Sequence, residues 1–135
     1  MDRVMIDTDI LSYFFRGDQE VKIKFKEYLE HFNFIEISII THYEITSGLL
    51  AKNAFKQLEV FNDFMSGNII LPLTVNSSKI SSDLYASLRK SGNSVDDIDL
   101  LIAGIAIENN LTLVTNNVNH FGRIGDLKIQ NWKNK

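Results

Sequence analysis

Short apolar runs alternate along this chain with longer stretches in which apolar residues recur every three or four positions. Val4-Met5-Ile6 is the first short run and reads as a buried strand. Asp9 then offers an N-cap for a helix carrying Ile10, Leu11, Phe14 and Phe15, which Gly17 ends. Asp18 caps a second helix, with Val21, Phe25, Tyr28, Leu29 and Phe32 at helical spacing, before the chain returns to strand over Ile35 to Ile39. Thr41 opens a helix through Ile45, Leu49 and Leu50. Phe55, Leu58, Phe61 and Met65 mark its partner, stopped near Gly67-Asn68. A third strand follows over Ile69 to Leu73. Ile80, Leu84 and Leu88 define a helix closed by Gly92, and Ser94 caps the next, which runs through Ile98, Leu101, Ile102 and Ile105 to Asn109-Asn110. That helix is apolar almost all round, so it belongs in the interior. Thr112 to Val114 and Leu127 to Ile129 complete five short strands.

Strands alternating with helices pair in parallel and are covered on both faces. The predicted fold is α/β: a three-layer α/β/α sandwich around a central, mostly parallel, five-stranded sheet. No repeat, low-complexity tract or flexible linker interrupts the pattern, and the single proline, Pro72, sits inside the third apolar run. Residues 1–135 are expected to form a single domain, a length at which one core suffices.

Composition narrows the picture. The chain is 44% hydrophobic and 23% charged, too apolar for disorder and too interrupted for a membrane span. Met1-Asp2-Arg3 leads straight into the first apolar run without a signal-peptide pattern, so a cytoplasmic location is expected. With no cysteine, any metal must be held by oxygen or imidazole. The net charge of -3 does not announce a nucleic-acid partner, although a bound cation offsets carboxylates grouped at a metal site.

The candidate chemistry lies in carboxylates beside strand ends and helix starts. Asp7 follows the first strand, Glu44 follows the second, and Asp99 opens the helix of Leu100, Leu101, Ile102 and Ala103. A parallel sheet collects such positions along one edge, where open α/β folds place their ligands. Carboxylates on a rigid scaffold suit a hard cation such as Mg²⁺, which keeps several waters and needs one or two protein ligands. Each acid also has a plainer explanation. Asp7 fits a solvated turn, and Thr41-His42-Tyr43-Glu44 matches a capping box. Asp99 is harder to explain that way, because Ala103 and Ala106 share its helix face, and a nearly buried carboxylate needs a partner or a metal. Asp96 and Asp97 read as helix-start acids favoured by the dipole, with Asp96 carried as a supporting candidate. His31, His42 and His120 lack metal-ligand spacing and read as surface or partly buried structural residues.

These motifs resemble the PIN-domain family, and within it the VapC-type toxins of toxin-antitoxin pairs, over Val4 to Trp132. Met5 to Ser12 resembles the family's opening strand with its first acid, and Ile37 to Gly48 the block with the glutamate. Asp99 to Ala106 resembles the third acidic block, while Leu113 to Phe121 and Gly125 to Trp132 resemble the ending. The resemblance implies an Mg²⁺- or Mn²⁺-dependent endoribonuclease with Asp7, Glu44 and Asp99 as catalytic and metal-binding acids. Thr115 would line the site. Water as nucleophile would leave a 5′-phosphate and a 3′-hydroxyl. An RNA substrate is implied, tRNA among the candidates, together with a homodimer, a cognate VapB-type antitoxin and no membrane partner. Family members often carry a fourth acid after the fourth strand. This chain has Asn116, Asn117 and His120 there, with Asn117 as a supporting candidate through its amide oxygen, so one cation or two stays open. Specificity is expected beyond the metal, in segment 52–68.

Two other readings remain. One is a non-catalytic RNA- or protein-binding domain of the same fold, suggested by the absent fourth acid. The other is a phosphatase of the haloacid-dehalogenase type, since Asp7-Thr8-Asp9 mimics that family's paired aspartates. Ile10-Leu11 does not fit its next positions.

Overall fold

The computed structural model describes residues 1–133. Its elements, in chain order, are β1 (Val4–Ile6), α1 (Thr8–Phe15), α2 (Gln19–Phe32), β2 (Glu36–Ser38), α3 (Ile39–Ala51), α4 (Phe55–Met65), β3 (Ile69–Leu71), α5 (Val75–Lys90), α6 (Asp97–Glu108), β4 (Thr112–Val114), α7 (Val118–Phe121) and β5 (Ile129–Gln130). The five strands form one sheet in the order β3-β2-β1-β4-β5. Every pairing is parallel, with Met5 opposite Glu36 on one side and Leu113 on the other.

Alternation along the strands divides the interior into two cores. Met5 and Leu113 face a cluster built on α5, α6 and α7, including Leu88, Ile102, Ile105 and Phe121. Val4, Ile6 and Ile37 face the opposite cluster, with Ile10 and Leu11 from α1, Phe25 and Tyr28 from α2, and Phe61 from α4. Trp132 closes that second core against Phe25 and Tyr28, at ring-centroid distances of 5.5 and 5.7 Å. The predicted sandwich is therefore present, with apolar strands covered on both faces. Among the described residues no helix is long and apolar enough to cross a membrane.

The strongly apolar α6 packs closely on α5. A Cβ at Gly104 would lie 2.1 Å from Ser81 Oγ and 2.6 Å from the Ser77 carbonyl oxygen, so only glycine permits this approach. Ser81 Oγ donates to the Leu100 carbonyl at 2.7 Å, tying the two helices together.

Helix starts differ from the sequence expectation in ways that matter at the site. The cap of α1 is Asp7, whose carboxylate accepts from Thr8 N, so Asp9 lies inside the first turn. The second strand stops at Ser38, whose hydroxyl accepts from Thr41 N at 3.0 Å and starts α3 at Ile39. Thr41 is therefore not a cap. Glu44 sits in the second turn, too far along to complete a capping box. Helix α6 begins at Asp97 behind Asp96 rather than at Ser94. An unforeseen capping box, Thr74 with Ser77, starts α5. Strand β5 is displaced to Ile129–Gln130, because Leu127 N bonds the Ile124 carbonyl in a turn.

Candidate active site

The chain runs outward from β1 through β2 to β3, then crosses to the other side of β1 and continues through β4 to β5. Strand order thus reverses between β1 and β4, and a crevice opens outside their carboxyl ends. Asp7 leaves the end of β1 and Thr115 the end of β4, held side by side by the bond from Asp7 N to the Val114 carbonyl, 2.9 Å.

Asp7 is 6% exposed and both of its oxygens are held. Oδ1 accepts from Thr8 N at 2.8 Å, and Oδ2 accepts from the fully buried Thr115 Oγ1 at 2.7 Å. Burial pushes this carboxyl from its ordinary 3.8 up to about 7. The charges of Asp9 and Asp99 add to the rise, while the Thr115 and Thr8 bonds oppose it. Asp9 is fixed by backbone donors: Oδ1 accepts from Ile10 N at 2.7 Å and Oδ2 from Asn116 N at 3.1 Å. Its carboxyl is also pushed up, by burial first and further by Asp99.

Asp99 lies in the first turn of α6 and is less buried than its helix face suggests, with its side chain 20% exposed. Its Oδ2 is 3.2 Å from Nδ1 of His120, which is in turn 3.1 Å from Asn117 Nδ2. Asn117 N donates to Thr115 Oγ1 at 3.0 Å, so one short segment after β4 reaches Asp7, Asp9 and Asp99.

Glu44 approaches through Thr8. Thr8 Oγ1 donates to Glu44 Oε1 at 2.5 Å and shares a hydroxyl–hydroxyl bond with Thr41 Oγ1 at 3.0 Å. Asp96 stays apart. It is exposed at the cap of α6, its side chain makes no cap bond, and its carbonyl accepts from Leu100 N. Sequence reasoning missed Asp9, which it read as a cap, and His120, which it read as structural. The Asp7-Thr8-Asp9 spacing at a strand end was the available signal for the first. The second had only its place after β4.

Among the described residues no three Asp, Glu or His side chains close on one ion position. The donors are nonetheless hard oxygens, and burial together with neighbouring negative charge holds Asp7 and Asp9 above the ordinary carboxylate range. A divalent cation relieves that condition, and Mg²⁺ needs only one or two carboxylates beside its waters. The residues present therefore fit such an ion.

A groove of about 450 Å³ leads away from Thr8 and Glu44 between α1, α3 and α4. Its floor includes Phe15, Leu49 and Phe61, and Arg16, Lys52 and Lys56 line it as well. The acidic site thus opens onto a basic neighbour.

The PIN domain family model matches residues 4–127. Ribonuclease VapC2 of Rickettsia felis is 33% identical over 129 residues, covering 95% of this chain and 96% of that protein. The tRNA(fMet)-specific endonuclease VapC of Shigella flexneri is 28% identical, covering 98% of this chain and 99% of its own. In the crystal structure of VapBC2 from Rickettsia felis bound to a promoter DNA fragment, one chain superposes with a TM-score of 0.86. That pair is 30% identical, covering 96% of this chain and 98% of the other.

Proposed function

We propose the function of this chain from one premise: it belongs to the PIN domain family. It is a ribonuclease of the VapC kind, the toxin of a toxin-antitoxin pair, and hydrolyses RNA phosphodiester bonds. The observation that carries the reading is Asp7. It is a buried carboxyl at the strand-order reversal, with two other aspartates near enough to raise its pKa. The phosphatase alternative falls away with the family match.

Asp7, Asp99 and Glu44 are the acids we assign to the reaction, with Asp9 beside them and Thr115 and Asn117 in support. Asp7 and Asp99 would hold a divalent cation, Mg²⁺ or Mn²⁺. Such an ion lowers the pKa of a water and neutralises charge on the scissile phosphate. Thr115 Oγ1 and Thr8 N keep Asp7 in one orientation, so its ligand atoms need not be reorganised when substrate arrives. Glu44 fixes Thr8 at the start of α1, and through it the mouth of the groove. Arg16, Lys52 and Lys56 suit the phosphate backbone of an RNA strand entering there. Attack by water in line with the leaving oxygen would yield a 5′-phosphate and a 3′-hydroxyl.

The reading extends to a single domain over 1–135, a VapB-type antitoxin, a homodimer and a cytoplasmic location. The test is cleavage of a mixed small-RNA pool with Mg²⁺, with Mn²⁺ and with EDTA, comparing the protein with Asp99→Asn. Discrete products that need both metal and Asp99 establish the reading. No cleavage of any RNA class by the folded protein points instead to a binding domain.

A further inference from the structure

The acids of this site are not held alike. Asp7 is gripped at both oxygens, by a backbone N–H and a buried hydroxyl, and Asp9 at both oxygens by backbone N–H groups. Backbone donors cannot swing away and the Thr115 hydroxyl is fully buried, so these two carboxylates have fixed directions. Asp99 differs. Among the described residues its one side-chain bond is to His120 Nδ1, made by Oδ2.

The Asp99 carboxylate favours a proton on Nδ1 of His120. Nδ1 faces a carboxylate oxygen at 3.2 Å and the Asn117 amide at 3.1 Å. A bare Nδ1 would set its lone pair against the Asp99 carboxylate. With the proton on Nδ1, the ring donates to Asp99 Oδ2; Asn117, whose Nδ2 lies toward Nδ1, then takes the flipped amide orientation that presents its oxygen to the ring. Asn117 is itself anchored, because its N–H donates to the buried Thr115 hydroxyl that also holds Asp7.

We propose that His120 is a positioning residue for Asp99, its Nδ1–H fixing the carboxylate so that the free oxygen is presented for a divalent cation. This inference rests on the nuclease reading. It gives a role to the segment after β4, which supplies Asp99 with an orienting donor. Outer partners of this type typically change metal affinity by roughly 10- to 100-fold.

The test is Mn²⁺ binding by titration calorimetry to the RNA-free protein, its His120→Ala and His120→Asn variants, and Asp99→Asn. Asparagine retains an N–H close to the position of Nδ1. His120→Ala is expected to weaken Mn²⁺ binding roughly 10- to 100-fold, and His120→Asn to recover most of that loss. At saturating Mn²⁺, the KM for RNA should be unchanged in both. The side chain is 46% exposed, so the EDTA-treated variants should melt like the parent. Equal Mn²⁺ affinity in His120→Ala and the parent overturns the inference alone, as does an asparagine variant no better than alanine. A parent protein that neither binds Mn²⁺ nor cuts RNA overturns the nuclease reading and the inference with it.

Discussion

Thr115 Oγ1 donates to Asp7 Oδ2 at 2.7 Å across 108 residues of sequence, joining the ends of two neighbouring parallel strands inside the protein. The same hydroxyl accepts from Asn117 N, so it holds the acid and the following turn together. Neither group has water to fall back on, since Thr115 is fully buried and Asp7 nearly so.

Thr115→Val keeps the shape of the side chain and removes the donor. A buried carboxylate oxygen then loses its partner, at a cost of about 1–3 kcal/mol. RNA cleavage should fall at least tenfold, while Thr115→Ser should stay near the parent. Equal activity in the valine and serine variants would show that Asp7 does not depend on this bond.

The acids should separate by severity. Asp7→Asn and Asp99→Asn each remove charge at the cation position and are expected to reduce cleavage about a thousandfold, equivalent to several kcal/mol of barrier. Glu44→Gln retains an amide oxygen that can accept from Thr8 Oγ1, so its loss should be nearer tenfold. Single-turnover rates at saturating Mn²⁺ give the ranking, and a Glu44→Gln as inactive as Asp7→Asn would place Glu44 on the ion itself.

The sheet was legible because each strand is a short apolar run set between helices with clear spacing. Helix starts were less so. Asp7 and Asp9, or Ser38 and Thr41, are equally good caps by residue type, and the choice depends on where pairing with a neighbouring strand ends. Moving the start of α3 to Ile39 changed Glu44 from a capping residue into the partner of Thr8. Helix α7 is four residues long, too short to show a period, so nothing local marked His120 as the neighbour of Asp99.

The raised carboxyl of Asp7 gives the metal-free protein a distinctive pH dependence. Its folded value of about 7 exceeds the ordinary 3.8, so between those limits the folded chain holds a proton that the unfolded chain has released. Its contribution is fully favourable below about 4, fades as pH rises, and is gone above about 7, a swing on the order of a few kcal/mol. In EDTA, melting temperature should fall across that window, and Asp7→Asn should flatten the slope. Mg²⁺ should raise the melting temperature most at the alkaline end, where the carboxylate is ionised. A flat profile in EDTA would mean that the charge of Asp7 is relieved by some other group.

Gly104 offers a test of the fold independent of the chemistry. A methyl group there meets Ser81 Oγ at 2.1 Å and the Ser77 carbonyl oxygen at 2.6 Å, and α6 is held on that side by the Ser81 bond to the Leu100 carbonyl. Gly104→Ala should therefore destabilise the protein by about 1–3 kcal/mol despite alanine's better helix propensity, because α6 must move off α5. Adding Ser81→Ala removes one clash and leaves the backbone oxygen in place, so it should recover only part of the loss. Since α6 carries Asp99, the shift should also weaken Mn²⁺ binding, whereas an alanine at Gly48, inside α3 and with no atom within 4 Å of the added carbon, should leave Mn²⁺ binding unchanged and raise stability by about 0.5–1 kcal/mol. Denaturant midpoints and Mn²⁺ titrations on the parent and the three variants decide it. A Gly104→Ala protein as stable as the parent would mean that the two helices can separate without cost.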